Sequence, residues 1–144
     1  MTSRRLTITG QSAPDVDFFA RQKLLSWWSQ EKISSARVLI AGAGAVGNET
    51  IKNLVLLGFS NLLICDFDLI EDSNLSRTVL FGPNDIGKPK AQAAAERARA
   101  MALTPSPQID WLHGDMTSML GLGVFADVDI VLGCLDNVEA VSYT

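Results

Sequence analysis

Four short runs punctuate the chain at strand length, and the stretches between them carry helical or turn-like patterns. The runs are Val38–Ile40, Leu62–Cys65, Gln108–Leu112 and Asp129–Leu135. The first, second and fourth are apolar on successive residues, as expected of parallel strands covered on both faces. Between the first two, Val46, Ile51, Leu54 and Val55 recur at helical spacing, and Gly58 closes the pattern. Pro89 to Leu103, rich in alanine, predicts a second helix that Pro105 and Pro107 stop. A short helix is expected around Ser118–Phe125, weakened by Gly121 and Gly123. Another begins at Val138. Strands alternating with helices predict an α/β fold, a Rossmann-like doubly wound, mainly parallel sheet with helices on both faces. Ahead of this core, expected over residues 37–144, the pattern predicts a mobile segment at 1–16 and a helix over 17–34, capped by Asp15 or Asp17. At 144 residues the chain is of single-domain size.

The chemistry gathers where strands end. Gly42, Gly44 and Gly47 stand at G-x-G-x-x-G spacing between the first strand and the first helix. In that context Gly42 permits a tight turn, Gly44 lets backbone approach a phosphate, and Gly47 lets helix pack on strand. The first amides of the helix form an anion site. Asp66, at the tip of the second strand, is placed to accept hydrogen bonds from ribose hydroxyls. This predicts a nucleotide-binding βαβ unit. Asn48 and Glu49, on the helix, read as structural.

A long connection, FDLIEDSNLSRTVLFGPNDIGKPK, follows the second strand, and loops of this length in compact domains are often functional. Asn74 and Arg77 lie three apart on it, so one helical turn would put them on the same side. Lys90 falls near a helix N-terminus, where a cation is unfavourable unless an anion shares the site. Asp68 and Asp136 join Asp66 on the carboxyl rim of the sheet. Each has a plainer competitor: Asp68 capping a turn, Arg77 and Lys90 as solvated loop charges, Asp136 capping the helix that follows.

Composition narrows the field. With 47% hydrophobic and 19% charged residues the chain reads as globular rather than disordered, and a net charge of −4 argues against a nucleic-acid partner. No segment approaches the roughly 18 apolar residues of a membrane span. Cys65 and Cys134 read as buried small hydrophobes, and a single histidine, His113, supports no zinc site. The expected compartment is a reducing cytosol, hence cytoplasmic.

The ordered series GAGAVG, DFD, NLSR, DIGKPKAQAA and CLDN, spanning about residues 17–141, resembles the ThiF/MoeB-type adenylyltransferases, which include the adenylation domains of ubiquitin-activating enzymes. The resemblance implies attack by the C-terminal glycine carboxylate of a ubiquitin-like or sulfur-carrier protein on the α-phosphate of ATP, giving an acyl-adenylate and pyrophosphate. By resemblance, Gly42, Gly44, Ala45 and Gly47 lie under the phosphates and Asp66 binds ribose, with Asp68 beside it. Asn74 and Arg77 contact the polyphosphate, Lys90 neutralises its charge, and Asp136 positions Mg²⁺. Arg21 matches an arginine that reaches into a partner's nucleotide site, which implies a homodimer or a heterodimer with a related subunit.

Two positions depart from the family pattern: Ala45 stands where many members have glycine, and Val141 where many have arginine. The chain also reads as truncated relative to the family. A non-catalytic nucleotide-binding partner or fragment therefore competes with the active enzyme. An NAD-dependent oxidoreductase fragment is the third reading.

Overall fold

A computed structural model describes residues 17–136. Four strands, β1 (Arg37–Ala41), β2 (Asn61–Asp66), β3 (Gln108–His113) and β4 (Ile130–Gly133), form one all-parallel sheet in the order β3-β2-β1-β4. That order, with β1 inside and the chain reversing direction across it, is Rossmann-like. Val38 to Ala41 are all buried because β1 has a strand on each side and cover on both faces.

The connections are α2 (Ala45–Leu56), α3 (Lys90–Met101) and the pair α4 (Met116–Met119) and α5 (Leu122–Asp127). Helices α2 and α3 pack against each other and bury Val38, Ile40, Leu62, Ile64 and Ile109 of the sheet beneath Ile51 and Val55. Ala91, Ala93, Ala94, Ala95 and Ala98 are buried on α3, and these small side chains let that helix approach the strands closely. The return from β3 to β4, through α4 and α5, runs from one edge of the sheet to the other.

The helix expected over residues 17–34 does not form as one element. A 3-10 turn at Gln22–Leu24 is followed, after a break, by α1 (Gln30–Ser35). The apolar residues of this stretch explain it. Phe19 is buried, against Gly58, while Phe18, Leu24, Leu25 and Trp27 are exposed, so no continuous face rewards a long helix. Polar side chains hold the broken path instead. The Phe19 N–H donates to Asp17 Oδ1, Lys23 pairs with Asp17, and Ser29 accepts from the Lys32 N–H to start α1 afresh. The helix expected around Ser118–Phe125 is likewise two short helices, parted by Gly121. The expected mobile segment at 1–16 and the helix from Val138, with Val141, lie outside the described residues.

Candidate functional site

At the carboxyl ends of β1, β2 and β4 the first turn after β1 opens onto a cavity of about 530 Å³, within the range of small-molecule sites. It lies where β1 and β4 meet, the switch point at which connections leave in opposite directions.

The glycine turn forms one wall. Gly42 has φ +99°, and its amide donates to the Cys65 carbonyl at 2.8 Å. A Cβ there would sit 2.7 Å from the Cys134 carbonyl oxygen, so both conformation and space require glycine. A Cβ on Gly47 would collide with the Gly42 carbonyl group, which is how α2 packs directly onto the turn. Gly44 differs: it is the N-cap of α2, and a Cβ on it would meet nothing within 4 Å. The space beside Gly44 therefore belongs to the cavity. Ala45 begins α2 with ordinary helical backbone, so the alanine is unstrained at this position.

Asp66 ties this wall to the next. Its Oδ2 accepts from the Ala43 N–H and its Oδ1 from the Asp68 N–H, both at 2.7 Å. An ionised carboxylate has about four acceptor positions, so Asp66 braces the turn and still faces the cavity with lone pairs to spare.

The loop after β2 is held in place by burial of Ile70, Leu80 and Phe81 and by a backbone bridge between Leu69 and Pro89. The Ile70 N–H donates to the Lys88 carbonyl and the Gly87 N–H to the Ile70 carbonyl, which folds the loop back on itself. Asp85 secures the return by accepting from the Gly82 N–H at 2.8 Å and from Lys88 Nζ at 3.0 Å. The Gly82 N–H first, then the Lys88 ammonium, hold the Asp85 carboxyl below the usual carboxylate range. Lys90 is thereby brought beside Asp68. Its amide donates to the Asp68 carbonyl, and its Nζ lies 3.0 Å from Asp68 Oδ2. The Lys90 side chain is 12% exposed and that of Asp68 50%. On the same loop Asn74 is buried, its Oδ1 accepting from the Glu71 N–H. The Arg77 guanidinium donates once, to the Ser73 carbonyl at 3.3 Å, and among the described residues has no carboxylate partner.

One cavity thus brings together Gly42, Gly44, Ala45, Asp66, Asp68, Asn74, Arg77, Lys90 and Asp136. Gly47 lies beneath the turn. Arg21 is exposed on the N-terminal stretch and does not line this cavity. Among the described residues no cluster of three or more His, Cys, Asp or Glu could hold a metal. No helix there is long and apolar enough to cross a membrane.

Sequence reasoning missed several contributors. Asp115 accepts from the Thr117 N–H at 2.9 Å and starts α4 at the cavity edge, with Met116 and Thr117 in the lining. Its signal was an aspartate before a helical run. Cys65 and Cys134 also line the cavity. Burial, and then the Asp66 charge, push the Cys65 thiol up to about 11. Asn48, which reads as structural, is buried and hydrogen-bonded at both ends, to the glycine turn and to Leu80.

The ThiF family matches residues 16–143 of the chain. The chain is a member of the ThiF family. It is 41% identical over 111 residues to SUMO-activating enzyme subunit 2 of Dictyostelium discoideum, covering 76% of this chain and 16% of that protein. It is 37% identical over 123 residues to ubiquitin-activating enzyme E1 2 of Triticum aestivum, covering 79% of the chain and 12% of the relative. With the NEDD8-activating enzyme E1 catalytic subunit of Arabidopsis thaliana it shares 38% identity over 111 residues, covering 74% and 23%. This ThiF-family chain therefore spans less than a quarter of the length of these relatives.

Proposed function

We propose that this ThiF-family chain is the nucleotide-binding part of an activating enzyme that uses ATP to adenylate the C-terminal glycine carboxylate of a ubiquitin-like or sulfur-carrier protein. The observation that carries the reading is the pairing of a backbone-lined turn with Arg77 and Lys90 across a single cavity. Backbone amides and cations facing one space suit a polyphosphate, and nucleotidyl transfer is catalysed chiefly by positioning and charge neutralisation. A carboxylate oxygen of the carrier attacks the α-phosphorus, the bond from that phosphorus to the bridging oxygen of the β-phosphate breaks, and pyrophosphate leaves with both electrons. The attacking carboxylate is already ionised at neutral pH, so no general base is needed.

In this reading Asp66 holds the ribose, Asn74 and Arg77 bind the polyphosphate, and Lys90 exchanges its contact with Asp68 for one with phosphate. Mg²⁺ fits as a nucleotide-borne ion. One or two carboxylates with substrate phosphates and water satisfy it, so the lack of a three-ligand cluster among the described residues is compatible with Asp136 as its protein ligand. When bound, the ion would neutralise charge on the phosphates. Arg21, exposed outside this cavity, would serve a second copy or a related subunit, which makes the working form a dimer.

The test is ATP–pyrophosphate exchange with Mg²⁺, with and without carrier proteins ending in Gly-Gly. Carrier-dependent exchange is the expected result. ATP binding without exchange would favour a nucleotide-binding part whose carrier groove lies elsewhere. Absence of ATP binding by the folded chain would reject the reading.

A further inference from the structure

Asn48 is fully buried, and its amide spends every strong hydrogen-bonding group on two segments of the cavity wall. Its Nδ2 donates to the carbonyls of Ala43 at 2.7 Å and Gly44 at 3.0 Å, and its Oδ1 accepts from the Leu80 N–H at 2.9 Å. In a planar trans peptide the C=O and the following N–H point in opposite directions. Drawing the carbonyls of Ala43 and Gly44 toward Asn48 therefore turns the Gly44 and Ala45 N–H groups away from it, at two residues that line the cavity. Neither N–H has a protein acceptor among the described residues. The third bond reaches Leu80, three residues beyond Arg77, on the loop that Thr78 also ties to the Asn74 carbonyl at 2.8 Å.

We propose that Asn48 is a positioning residue for anion binding: it sets the two peptide planes of the glycine turn and locks them to the Arg77 loop, so that amides and guanidinium present one pre-organised surface. The proposal rests on the nucleotide reading above. A purely structural Asn48 would stabilise the fold without favouring any part of the ligand.

The variants are Asn48→Asp and Asn48→Leu. The first keeps an acceptor for Leu80 but sets a carboxylate oxygen against two carbonyls, and the second removes all three bonds. Val55→Ala, a core change in the same helix away from the turn, controls for a general loss of stability. Affinities for ATP and for adenosine are measured by calorimetry, with melting temperatures alongside. The expected result is an ATP affinity weakened about tenfold or more, the scale of removing one buried hydrogen bond, with adenosine affinity near wild type. Equal losses for ATP and adenosine, or losses no greater than those of Val55→Ala, would overturn the proposal.

If the wild-type chain binds no ATP, the nucleotide reading fails, and Asn48 is judged with pyrophosphate by amide NMR. Shifts at Gly44 and Ala45 that vanish in the variants uphold it, and silence at those amides in the wild type sinks it. Should neither variant fold, the wild type decides: pyrophosphate must shift the Asn48 side-chain amide signals together with Gly44 and Ala45, and an unmoved Asn48 overturns the role.

Discussion

On one side of the cavity the chain presents backbone, and on the other it presents charge. The glycine turn is fixed by a positive φ at Gly42, close packing at Gly47 and a buried amide from Asn48, so nothing on it can move without disturbing β1 or α2. The connection from Phe67 to Lys90 is anchored by Ile70, Leu80 and Phe81, yet its cations sit on exposed or half-exposed bonds, Lys90 to Asp68 and Arg77 to Ser73. In the proposed reading, rigid amides define where an anion sits. In the same reading the Lys90 and Arg77 side chains re-pair when it arrives and neutralise it. The division implies that damage to the turn is read first as stability, and damage to the loop as activity.

The strongest way to break that comparison is within the turn itself. Gly47→Ala forces a Cβ into the Gly42 carbonyl and is expected to cost about 3 kcal/mol, the scale of overpacking against backbone. Gly44→Ala meets nothing and has φ −73°, so its stability should stay within about 0.5 kcal/mol of wild type. Its Cβ would instead occupy space beside the cavity, and ATP affinity should fall. Urea melts and calorimetry on the two variants separate the effects. Full ATP affinity in Gly44→Ala would mean that phosphate does not rest on this turn.

On the loop, Lys90→Ala and Arg77→Ala are each expected to lower carrier-dependent ATP–pyrophosphate exchange on the order of 100-fold, the size seen when a preorganised charge contact is removed. Arg77→Ala should leave the melting temperature nearly unchanged, because the one hydrogen bond of its side chain is exposed. Asp68→Asn sharpens the point. It removes the ion-pair partner but keeps the backbone bond to the Lys90 amide, so a roughly tenfold loss, smaller than that of Lys90→Ala, is expected if Asp68 only steadies the lysine.

How much of this was legible in the sequence follows the same division. The turn was readable because G-x-G-x-x-G between strand and helix leaves few conformations, and the parallel sheet was readable from continuous apolar runs such as Val38–Ile40. Gly44 as the position of close approach belongs to the same motif, whereas Asn48 as the link to Leu80 was not readable, since it depends on a loop 32 residues away in sequence. The N-terminal helix failed for a different reason. Leu24, Leu25, Trp27 and Trp28 supply hydrophobicity without a single face, and Asp17 and Ser29 divert the backbone hydrogen bonds. Lys90 stood out as a cation at a helix N-terminus, but its pairing with Asp68 arises from the fold-back of residues 68–70 on 87–90, which no local pattern announces.

Asp85 offers a smaller test, of how the loop is kept folded. Asp85→Ala removes the acceptor for the Gly82 N–H and the partner of Lys88, and should cost about 1 kcal/mol, as for loss of a capping carboxylate. Its carboxyl lies below the usual range in the folded chain, so its contribution is complete above the unfolded carboxyl value and is lost as pH falls through the folded one. The difference in melting temperature between wild type and Asp85→Ala should therefore be constant near neutrality and shrink in acid. A gap that widened in acid would reverse the assignment.

The smallest effect concerns the two cysteines on the cavity floor, and it discriminates between positions rather than testing the chemistry. Cys65, in β2, is buried with its thiol raised to about 11, so at pH 8 only about one molecule in a thousand carries the thiolate. Cys134, beyond β4, is half-buried, and its Sγ lies 3.6 Å from Thr50 Oγ1. Iodoacetamide at pH 8 should modify Cys134 well before Cys65, as read by peptide mass spectrometry, and bound ATP should slow the reaction at Cys134 because that residue lines the cavity. The raised Cys65 thiol also predicts that stability declines once pH climbs past the ordinary thiol value, where the unfolded chain releases a proton that the folded chain keeps. Cys65→Ser should remove that decline while leaving the labelling of Cys134 unchanged. If Cys65 reacted first, the floor of the cavity would have to open on the labelling timescale, and the rigid half of the comparison would no longer be the rigid half.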